Sequence, residues 1–383
     1  MTLREIGPRS PYYTVWDWTC PALTPAVAWR AALRTLRAQE ENRTDGRVAW
    51  VVLDGRVVDA RRHEDGAVLP ADDEADFTEW HARVEAAYPP GTPVVFYARD
   101  LARHDRDLFE IVLSVMGGRP EDFPLPRNHL DVEMFGGDYR RTPGGMHREY
   151  SVNRHFMLTG VKSMHLRPGD DWIPADAERR STTFLPGVCE EYVTLPDPAR
   201  LEPADGVLRA SAGQAFGWAN GVWHVGETDG PALGLNLAAY MSSYVMDETP
   251  FTLEAARNGR VTDDWLEAYR SRLDPADGVP PGREDALALA SAFGVRGAPP
   301  RVPAGAPPAK VVAVTLAPLL WCAGEDGVMV ATHGRSARFG VEVVPWLAEV
   351  GGLAPGESSE VPPGAGHREL AAWLVAGSAL AGV

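Results

Sequence analysis

Residues 147–162 read HREYSVNRHFMLTGVK. His147 and Glu149 are two positions apart. Side chains alternate between the two faces of a β-strand, so residues i and i+2 share a face. The spacing therefore predicts that an imidazole and a carboxylate project from one side of a strand. Thr159-Gly160 predicts a turn, with Lys162 just beyond it.

Residues 131–244, which surround this stretch, have the residue pattern of a β-rich domain. Short β-like runs such as HFMLTG (155–160) and VLRASAGQAFG (207–217) are separated by Gly, Pro, Asp and Asn, and helical periodicity is absent. Many short strands with frequent turns favour a sandwich or a barrel. We predict a mainly β fold with flanking helices, whose core is a double-stranded β-helix, or jelly roll.

A further candidate ligand, His224, lies 75 residues beyond Glu149, in the segment GVWHVGE (221–227). If the strand of His224 lies beside that of His147, two imidazoles and one carboxylate converge. This is the facial triad of non-haem iron(II) oxygenases, which leaves open positions for a co-substrate and dioxygen. An H-x-E pair alone is common by chance, and a surface turn or a hydrogen-bonded histidine explains it equally well.

Lys162 strengthens the interpretation. A lysine inside a β-rich core is costly unless it meets an anion. The distal carboxylate of a bound 2-oxoglutarate would satisfy it, and an ammonium group is a suitable partner for a carboxylate that must later be released.

The pattern resembles the JmjC-domain, cupin-like oxygenases, in particular their asparaginyl and ribosomal-protein hydroxylase branch. The resemblance covers about residues 131–240 and rests on His147, Glu149, Asn153 and Lys162, followed by W-H-x-x-E-T at 223–228. The chain departs from that branch at its acidic ligand, which is Glu where these hydroxylases have Asp, although many JmjC demethylases use Glu. It also lacks the usual Pro-Gly-Asp, having Ala-Gly-Gln at 212–214.

The resemblance implies a set of site residues. Iron(II) would be bound by His147, Glu149 and His224, and 2-oxoglutarate would be bound by Lys162, with Asn153 and Asn236 lining its pocket and dioxygen as the second co-substrate. Strand alternation puts His155 on the same face as Glu149, and for His155 both a place in the pocket and ordinary packing stay open.

The implied reaction is hydroxylation of an unactivated C–H bond, with a side-chain β-carbon of a peptide or protein favoured over a free small molecule. The precursor of a ribosomally made peptide natural product is one such substrate, and the Ala-, Gly- and Arg-rich composition suggests a bacterial source. Several alternatives stay open. They are hydroxylation of a free amino acid or metabolite, demethylation or another oxidation, a manganese isomerase and a non-catalytic cupin that only binds.

The composition limits the kinds of partner and the compartment that are expected for this protein. The formal net charge is −16, which makes nucleic acid a poor partner because phosphate backbones are repelled. The three cysteines are far apart and form neither a disulfide framework nor a zinc motif, which favours the cytoplasm. The sequence shows no signal-peptide core and no apolar stretch of membrane-spanning length, so no membrane partner is expected.

Five segments are predicted. They are N-terminal α/β elements at 1–130, the catalytic core at 131–250, a helical segment with a role in dimerisation at 251–296, a Pro-rich linker at 297–309 and a small C-terminal α/β domain, winged-helix-like, at 310–383. A homodimer is one expectation. Local patterns predict a helix over 25–39, a hairpin over 47–59 that turns at Asp54-Gly55, and a helix over 253–274.

Overall fold

The structure is a computed structural model of the 383-residue chain. It describes residues 2–5, 13–44, 46–59, 68–142, 145–185, 188–194, 206–241, 251–253, 259–273, 280–295, 297, 307–313, 318–376 and 379–382. Most of the predicted Pro-rich linker therefore lies outside the described residues. The chain divides into two compact units, one formed by residues 1–105 with 131–247 and the other by 106–130 with 248–383.

The first unit contains fifteen described strands and three described helices. In chain order they are β1 (Thr2–Glu5), β2 (Tyr13–Thr19), α1 (Pro25–Glu40), β3 (Ala49–Leu53), β4 (Arg56–Asp59), α2 (Phe77–Ala87), β5 (Val94–Ala98), α3 (Leu101–His104), β6 (Leu130–Asp138), β7 (Met146–Glu149), β8 (Ser151–Thr159), β9 (Val161–Arg167), β10 (Glu178–Leu185), β11 (Val188–Thr194), β12 (Gly206–Ser211), β13 (Gln214–Trp218), β14 (Trp223–Thr228) and β15 (Ala232–Tyr240).

These strands form two sheets whose paired strands are antiparallel. The larger has the order β1-β2-β13-β8-β15-β6-β5-β3-β4, and the smaller has the order β10-β11-β7-β14-β9-β12. Apolar side chains from both sheets pack into one buried cluster, which includes Met157 and Phe216 of the larger sheet and Met164 and Leu208 of the smaller. Two antiparallel sheets packed face to face confirm the predicted jelly-roll core.

The first helix and the first hairpin of the chain form where the local sequence predicts them. Pro25 occupies the first turn of α1, where its missing N–H costs nothing, and the Thr24 hydroxyl accepts from the Val27 amide at 3.3 Å. Asp54 and Gly55 have φ values of 47° and 74°, as a type I′ turn between β3 and β4 requires. The helix over 25–39 and the hairpin over 47–59 are both confirmed.

The second unit mixes helices with two three-stranded sheets. Its elements are α4 (Arg106–Gly117), α5 (Asp263–Arg270), α6 (Arg283–Ser291), β16 (Lys310–Ala313), β17 (Leu319–Gly324), β18 (Gly327–Thr332), β19 (Arg335–Phe339), α7 (Val344–Val350), β20 (Ser358–Glu360), α8 (Ala365–Ala376) and β21 (Leu380–Gly382). The sheets have the orders β20-β16-β21 and β17-β18-β19. The unit contains both helices and strands. Its winged-helix character, its part in a dimer and the bounds of the five predicted segments stay predictions.

The helix predicted over 253–274 is too long. Residues 254–258 lie outside the described residues, and the helix begins only at Asp263, where the Thr262 hydroxyl caps it. The preceding segment is extended because it pairs with a strand. The Trp321 amide donates to the Gly259 carbonyl at 2.7 Å, and the Val261 amide donates to the Trp321 carbonyl at 3.0 Å. Tertiary pairing overrides the apolar periodicity that predicted a helix.

Among the described helices, none combines the length and the apolar character needed to cross a bilayer.

Candidate functional site

The three predicted metal ligands converge in the smaller sheet. His224 on β14 pairs directly with His147 on β7, and their ring centroids are 4.2 Å apart. Glu149 shares the face of His147, and its Oε1 lies 3.8 Å from Nε2 of His224. Ligand atoms of all three residues lie within 4.8 Å of one another, close enough for a single ion to bridge them. Within the described residues, no other group of three such side chains meets this limit.

Both imidazoles are held in the tautomer that a metal ligand requires. Nδ1 of His147 lies 2.9 Å from the Gly145 carbonyl, and Nδ1 of His224 lies 2.9 Å from the Val222 carbonyl. A carbonyl only accepts, so each Nδ1 carries the proton and each Nε2 keeps its lone pair. Burial lowers the pKa of His224 well below its ordinary value, and His147 lowers it further. His224 is therefore a neutral ligand at physiological pH.

Glu149 supplies the negative charge of the cluster. Burial raises its pKa, Glu190 adds to that effect, and His147 and hydrogen bonds oppose it. Asn153 donates from Nδ2 to Glu149 Oε1 at 2.8 Å, which fixes the carboxylate. Two imidazoles and one carboxylate that is costly to ionise without a cation form a donor set that fits a divalent ion.

A chain of hydrogen bonds continues from the carboxylate into the core. Asn236 Nδ2 donates to Asn153 Oδ1 at 2.7 Å and contacts Glu133 Oε2 at 3.0 Å. Tyr97 donates its hydroxyl proton to Glu133 Oε1 at 2.7 Å. Burial, together with Asp131, raises the pKa of Glu133 to about 8, so its carboxyl is mostly neutral at pH 7. Asn153 and Asn236 thus connect the cluster to a buried acid that no sequence signal indicated.

Lys162 lies in the barrel interior with 3% of its surface exposed. Its Nζ lies 4.5 Å from the ring centroid of Phe135, and within the described residues no carboxylate lies at ion-pair distance from it. Burial lowers its pKa to about 7, although Glu133 opposes this. The ring of Tyr139 is 5.9 Å from this ammonium, and its buried hydroxyl has no hydrogen-bond partner among the described residues. Two donors without an acceptor mark a place for an anion.

A cavity of about 510 Å³ joins these features. Six of the seven predicted site residues line it, namely His147, Glu149, His155, Lys162, His224 and Asn236. Asn153 does not line the cavity, because it lies behind Glu149 and holds it. The rest of the wall includes Trp50, Tyr97, Phe135, Arg180, Tyr192 and Trp218.

His155 has a place in the wall of this cavity. Its ring is 1% exposed and stacks on Phe216 with centroids 5.2 Å apart and an interplanar angle of 7°. Burial lowers its pKa well below the ordinary value, and the positive charge of Lys162 lowers it further. Its Nε2 has no hydrogen-bond partner among the described residues. The pocket role and the packing role therefore coexist in one side chain.

Sequence reasoning missed Glu133, Tyr97 and Tyr139. All three lie on β5, β6 or just after it, in a part of the chain whose apolar texture predicts only buried structure. They reach the site because β6 pairs with β5 and lies next to β15 in the larger sheet. Only strand order, which local sequence does not encode, brings Glu133 and Tyr97 to the cavity and Tyr139 close to Lys162.

Comparison with known proteins gives solved structures only. No family model matches the sequence, and no curated protein matches it. A structure of YcfD, a ribosomal oxygenase from Escherichia coli, in complex with cobalt and 2-oxoglutarate shares 11% identity over 96% of this chain and 94% of that chain, with a TM-score of 0.44. Another crystal structure of YcfD shares 12% identity over 100% of both chains, with a TM-score of 0.43. A hydroquinone 1,2-dioxygenase from Sphingomonas sp. TTNP3 shares 12% identity over 32% of this chain and 69% of that one, with a TM-score of 0.21.

Proposed function

We propose that this chain is an iron(II)- and 2-oxoglutarate-dependent dioxygenase that hydroxylates an unactivated C–H bond, with a side chain of a peptide or protein as substrate. One observation carries the proposal. Two imidazoles and a carboxylate have ligand atoms within 4.8 Å of one another, and the same cavity contains a buried ammonium group. A metal ion needs the first group, and an anionic co-substrate needs the second.

His147, Glu149 and His224 would hold the iron. When bound, iron(II) supplies the activation of dioxygen, coupled to oxidation of 2-oxoglutarate to succinate and CO2, that makes an unreactive C–H bond accessible. The residues of the chain contribute placement. One backbone carbonyl binds the Nδ1–H of each histidine and orients its imidazole, and Asn153 orients the carboxylate. Such fixed ligands cost no reorganisation when the metal binds.

Lys162 would bind the distal carboxylate of 2-oxoglutarate, with the Tyr139 hydroxyl as a second donor. Both groups are buried, so the ion pair would form in a medium of low polarity, where it is stronger than in water. A bound dianion also raises the pKa of Lys162 from about 7 and keeps the ammonium form. Asn236 and His155 complete the wall beside it.

The substrate would contact Trp50 on β3 and Tyr192 on β11, which line the cavity. Aromatic and charged side chains occur together in this wall, since Arg47 lies 4.9 Å from the Trp50 ring and Tyr192 stacks on His147 at 5.7 Å. This mixture suits a polar side chain presented by a longer peptide. A ribosomal protein is the first substrate to test, because YcfD is a ribosomal oxygenase.

A free amino acid or another small metabolite is the second candidate, because a cavity of about 510 Å³ would enclose one completely. A hydroxylated peptide is heavier than the unmodified peptide by one oxygen atom, which is located at one side chain. Mass spectrometry of peptides incubated with the enzyme therefore separates the two candidates.

The decisive experiment begins with anaerobic titration of the protein with iron(II) and 2-oxoglutarate. A weak visible charge-transfer band is expected, and admission of oxygen should then produce succinate. His147→Ala should lose the band and the iron, while His165→Ala should keep both. His165 is a matched control because it lies on β9 outside the cavity, where its Nε2 meets Glu227 Oε1 at 2.9 Å. Absence of both the band and succinate from the unmodified protein would refute the proposal. Bound manganese without formation of succinate would indicate an isomerase.

A further inference from the structure

The turn that joins β18 to β19 in the second unit has an unusual residue. His333 and Gly334 form a two-residue connection with φ values of 52° and 76°, the backbone of a type I′ turn. Residues other than glycine seldom adopt positive φ, and asparagine, aspartate and histidine are the ones enriched there.

The imidazole of His333 is buried with one nitrogen unused. The residue is 6% exposed, and its Nδ1 lies 2.8 Å from the hydroxyl oxygen of Thr332, itself fully buried. The Thr332 hydroxyl has no other acceptor among the described residues, so it donates to Nδ1 and the proton of the ring resides on Nε2. That Nε2 has no partner among the described residues. His333 is therefore a buried donor that lacks an acceptor.

Two arginines of the same unit lie beside this donor. Arg335 lies on β19, two positions after His333, and Arg106 is at the start of α4. The side chain of Arg106 is 12% exposed and its Nε contacts Glu110 at 2.7 Å. Arg335 has its guanidinium 4.3 Å from the ring centroid of Trp373.

Arg335 contributes a positive charge to this place. Within the described residues, no carboxylate lies at ion-pair distance from Arg335, whereas Arg106 pairs with Glu110. Burial lowers the pKa of Arg335, and the like charge of Arg106 lowers it further. An arginine pair of this kind is stabilised when an anion lies between its members.

These donors face a cavity of about 380 Å³ whose lining belongs entirely to the second unit. Arg106, Arg335 and His333 form its polar wall together with Asn128 and His129. The apolar part of the lining consists of Ala288 and Leu289 of α6 with Ala292 and Val295 after it. Asp285 is the one acidic residue among those that line the cavity, and its Oδ2 accepts from the Gly282 amide at 3.2 Å.

We propose that this cavity is a second binding site, separate from the metal centre, for a small molecule with a phosphate or carboxylate group. The guanidinium groups of Arg106 and Arg335 and the Nε2–H of His333 would bind the anionic group. The apolar part of the molecule would lie on α6. The cavity is larger than an inorganic anion needs, which is why the ligand is expected to have such a part.

The test is calorimetric titration of the full-length, metal-free protein with three probes, which are inorganic phosphate, phenyl phosphate and benzoate. Phenyl phosphate and benzoate share an apolar ring and differ in the anionic group, so the tighter of the two identifies the ligand class. Inorganic phosphate is expected to bind more weakly than phenyl phosphate because it does not contact α6.

His333→Asn and Arg335→Gln are each expected to weaken the tighter probe by about tenfold or more, since each removes one donor to a charged group. Asparagine is favoured at positive φ, so His333→Asn keeps the turn. Arg338→Gln is the matched control, because Arg338 is on the same strand, pairs with Glu284 and does not line the cavity.

Lys162→Ala removes the anion partner of the catalytic cavity and is expected to leave probe binding unchanged. This result separates the second site from the function proposed above. The inference is overturned if no probe binds at millimolar concentration, if His333→Asn and Arg335→Gln bind as the unmodified protein does, or if Lys162→Ala alone abolishes binding.

Discussion

His224 lies directly opposite His147 across the ladder between β14 and β7, with the two ring centroids 4.2 Å apart. This pairing joins residues that are 77 positions apart in the chain. It also makes the metal centre depend on strand register, because a shift of one residue would turn one imidazole to the other face of the sheet.

Replacement of His224 by alanine is expected to abolish stable iron binding. Two remaining ligands hold a divalent ion far more weakly than three, so iron content after desalting should fall to near zero. Metal analysis of protein purified without oxygen measures this, with His165→Ala treated in parallel. Full iron content in the His224→Ala protein would mean that the metal is held elsewhere.

Asn153→Ala tests whether the residue behind the carboxylate matters for the metal. The change removes the 2.8 Å hydrogen bond to Glu149 Oε1 and leaves that carboxylate free to rotate. Loss of such outer-shell partners weakens metal affinity by roughly 10- to 100-fold. Competition with a chelator of known iron affinity gives the value, and Asn236→Ala, one hydrogen bond farther out, should have a smaller effect. An affinity equal to that of the unmodified protein would contradict the positioning role.

Lys162→Ala tests the anion pocket with a control supplied by the chain itself. The protein has only two lysines, Lys162 and Lys310. Lys310 is on the surface of the second unit, with a side chain that is 40% exposed. Loss of the buried ammonium should raise the KM for 2-oxoglutarate by roughly 10- to 100-fold, since hydrogen bonds to charged groups are worth that much. Lys310→Ala should not change it, and an equal KM in both variants would exclude Lys162 as the partner.

The affinity for 2-oxoglutarate should also depend on pH with a defined sign. Burial places the pKa of Lys162 at about 7, and only the protonated form attracts the carboxylate. Affinity should therefore be highest below pH 7 and fall by up to about tenfold per pH unit above it. Ionisation of Glu133, with a pKa of about 8, acts in the same direction because it adds negative charge nearby. Binding measured from pH 6 to 9 checks this, and Lys162→Arg should flatten the profile because arginine stays protonated.

How far the sequence leads is clear from particular residues. The strand face shared by His147 and Glu149 follows from their spacing alone, and the turn at Asp54-Gly55 follows from the positive φ that it requires. Both signals are local. The resemblance added pocket roles for Asn153 and Asn236, which spacing alone could not have assigned.

Other features could not be predicted because their causes are not local. Glu133 reaches the cavity, and Tyr139 reaches the Lys162 ammonium, through the order of strands in the larger sheet. Residues 259–262 are extended because Trp321 pairs with Gly259, although their neighbourhood has helical periodicity. The second cavity depends on a turn residue, on the start of α4 and on one side of α6, which are distant in sequence, and no motif marks it.

His333 leads to a prediction about acid stability. Burial lowers its pKa from 6.5 to about 3, and the charges of Arg106 and Arg335 contribute. Between pH 6.5 and 3 the unfolded chain binds a proton at this histidine that the folded chain does not. The free energy of unfolding should therefore fall as the pH is lowered through this range, by up to about 1.4 kcal/mol per pH unit from this residue.

His333→Asn removes this titration and places a residue that tolerates positive φ in the turn. The variant should be at least as stable as the unmodified protein at neutral pH, and it should lose less stability on acidification. Urea unfolding near pH 7 and near pH 4.5 measures both, with His367→Asn as the control, since His367 is half-buried on α8 and lies outside the cavity. If His333→Asn loses as much stability between the two pH values as the unmodified protein, the imidazole of His333 does not stay neutral in the folded state, and the hydrogen-bonding pattern assigned to it is wrong.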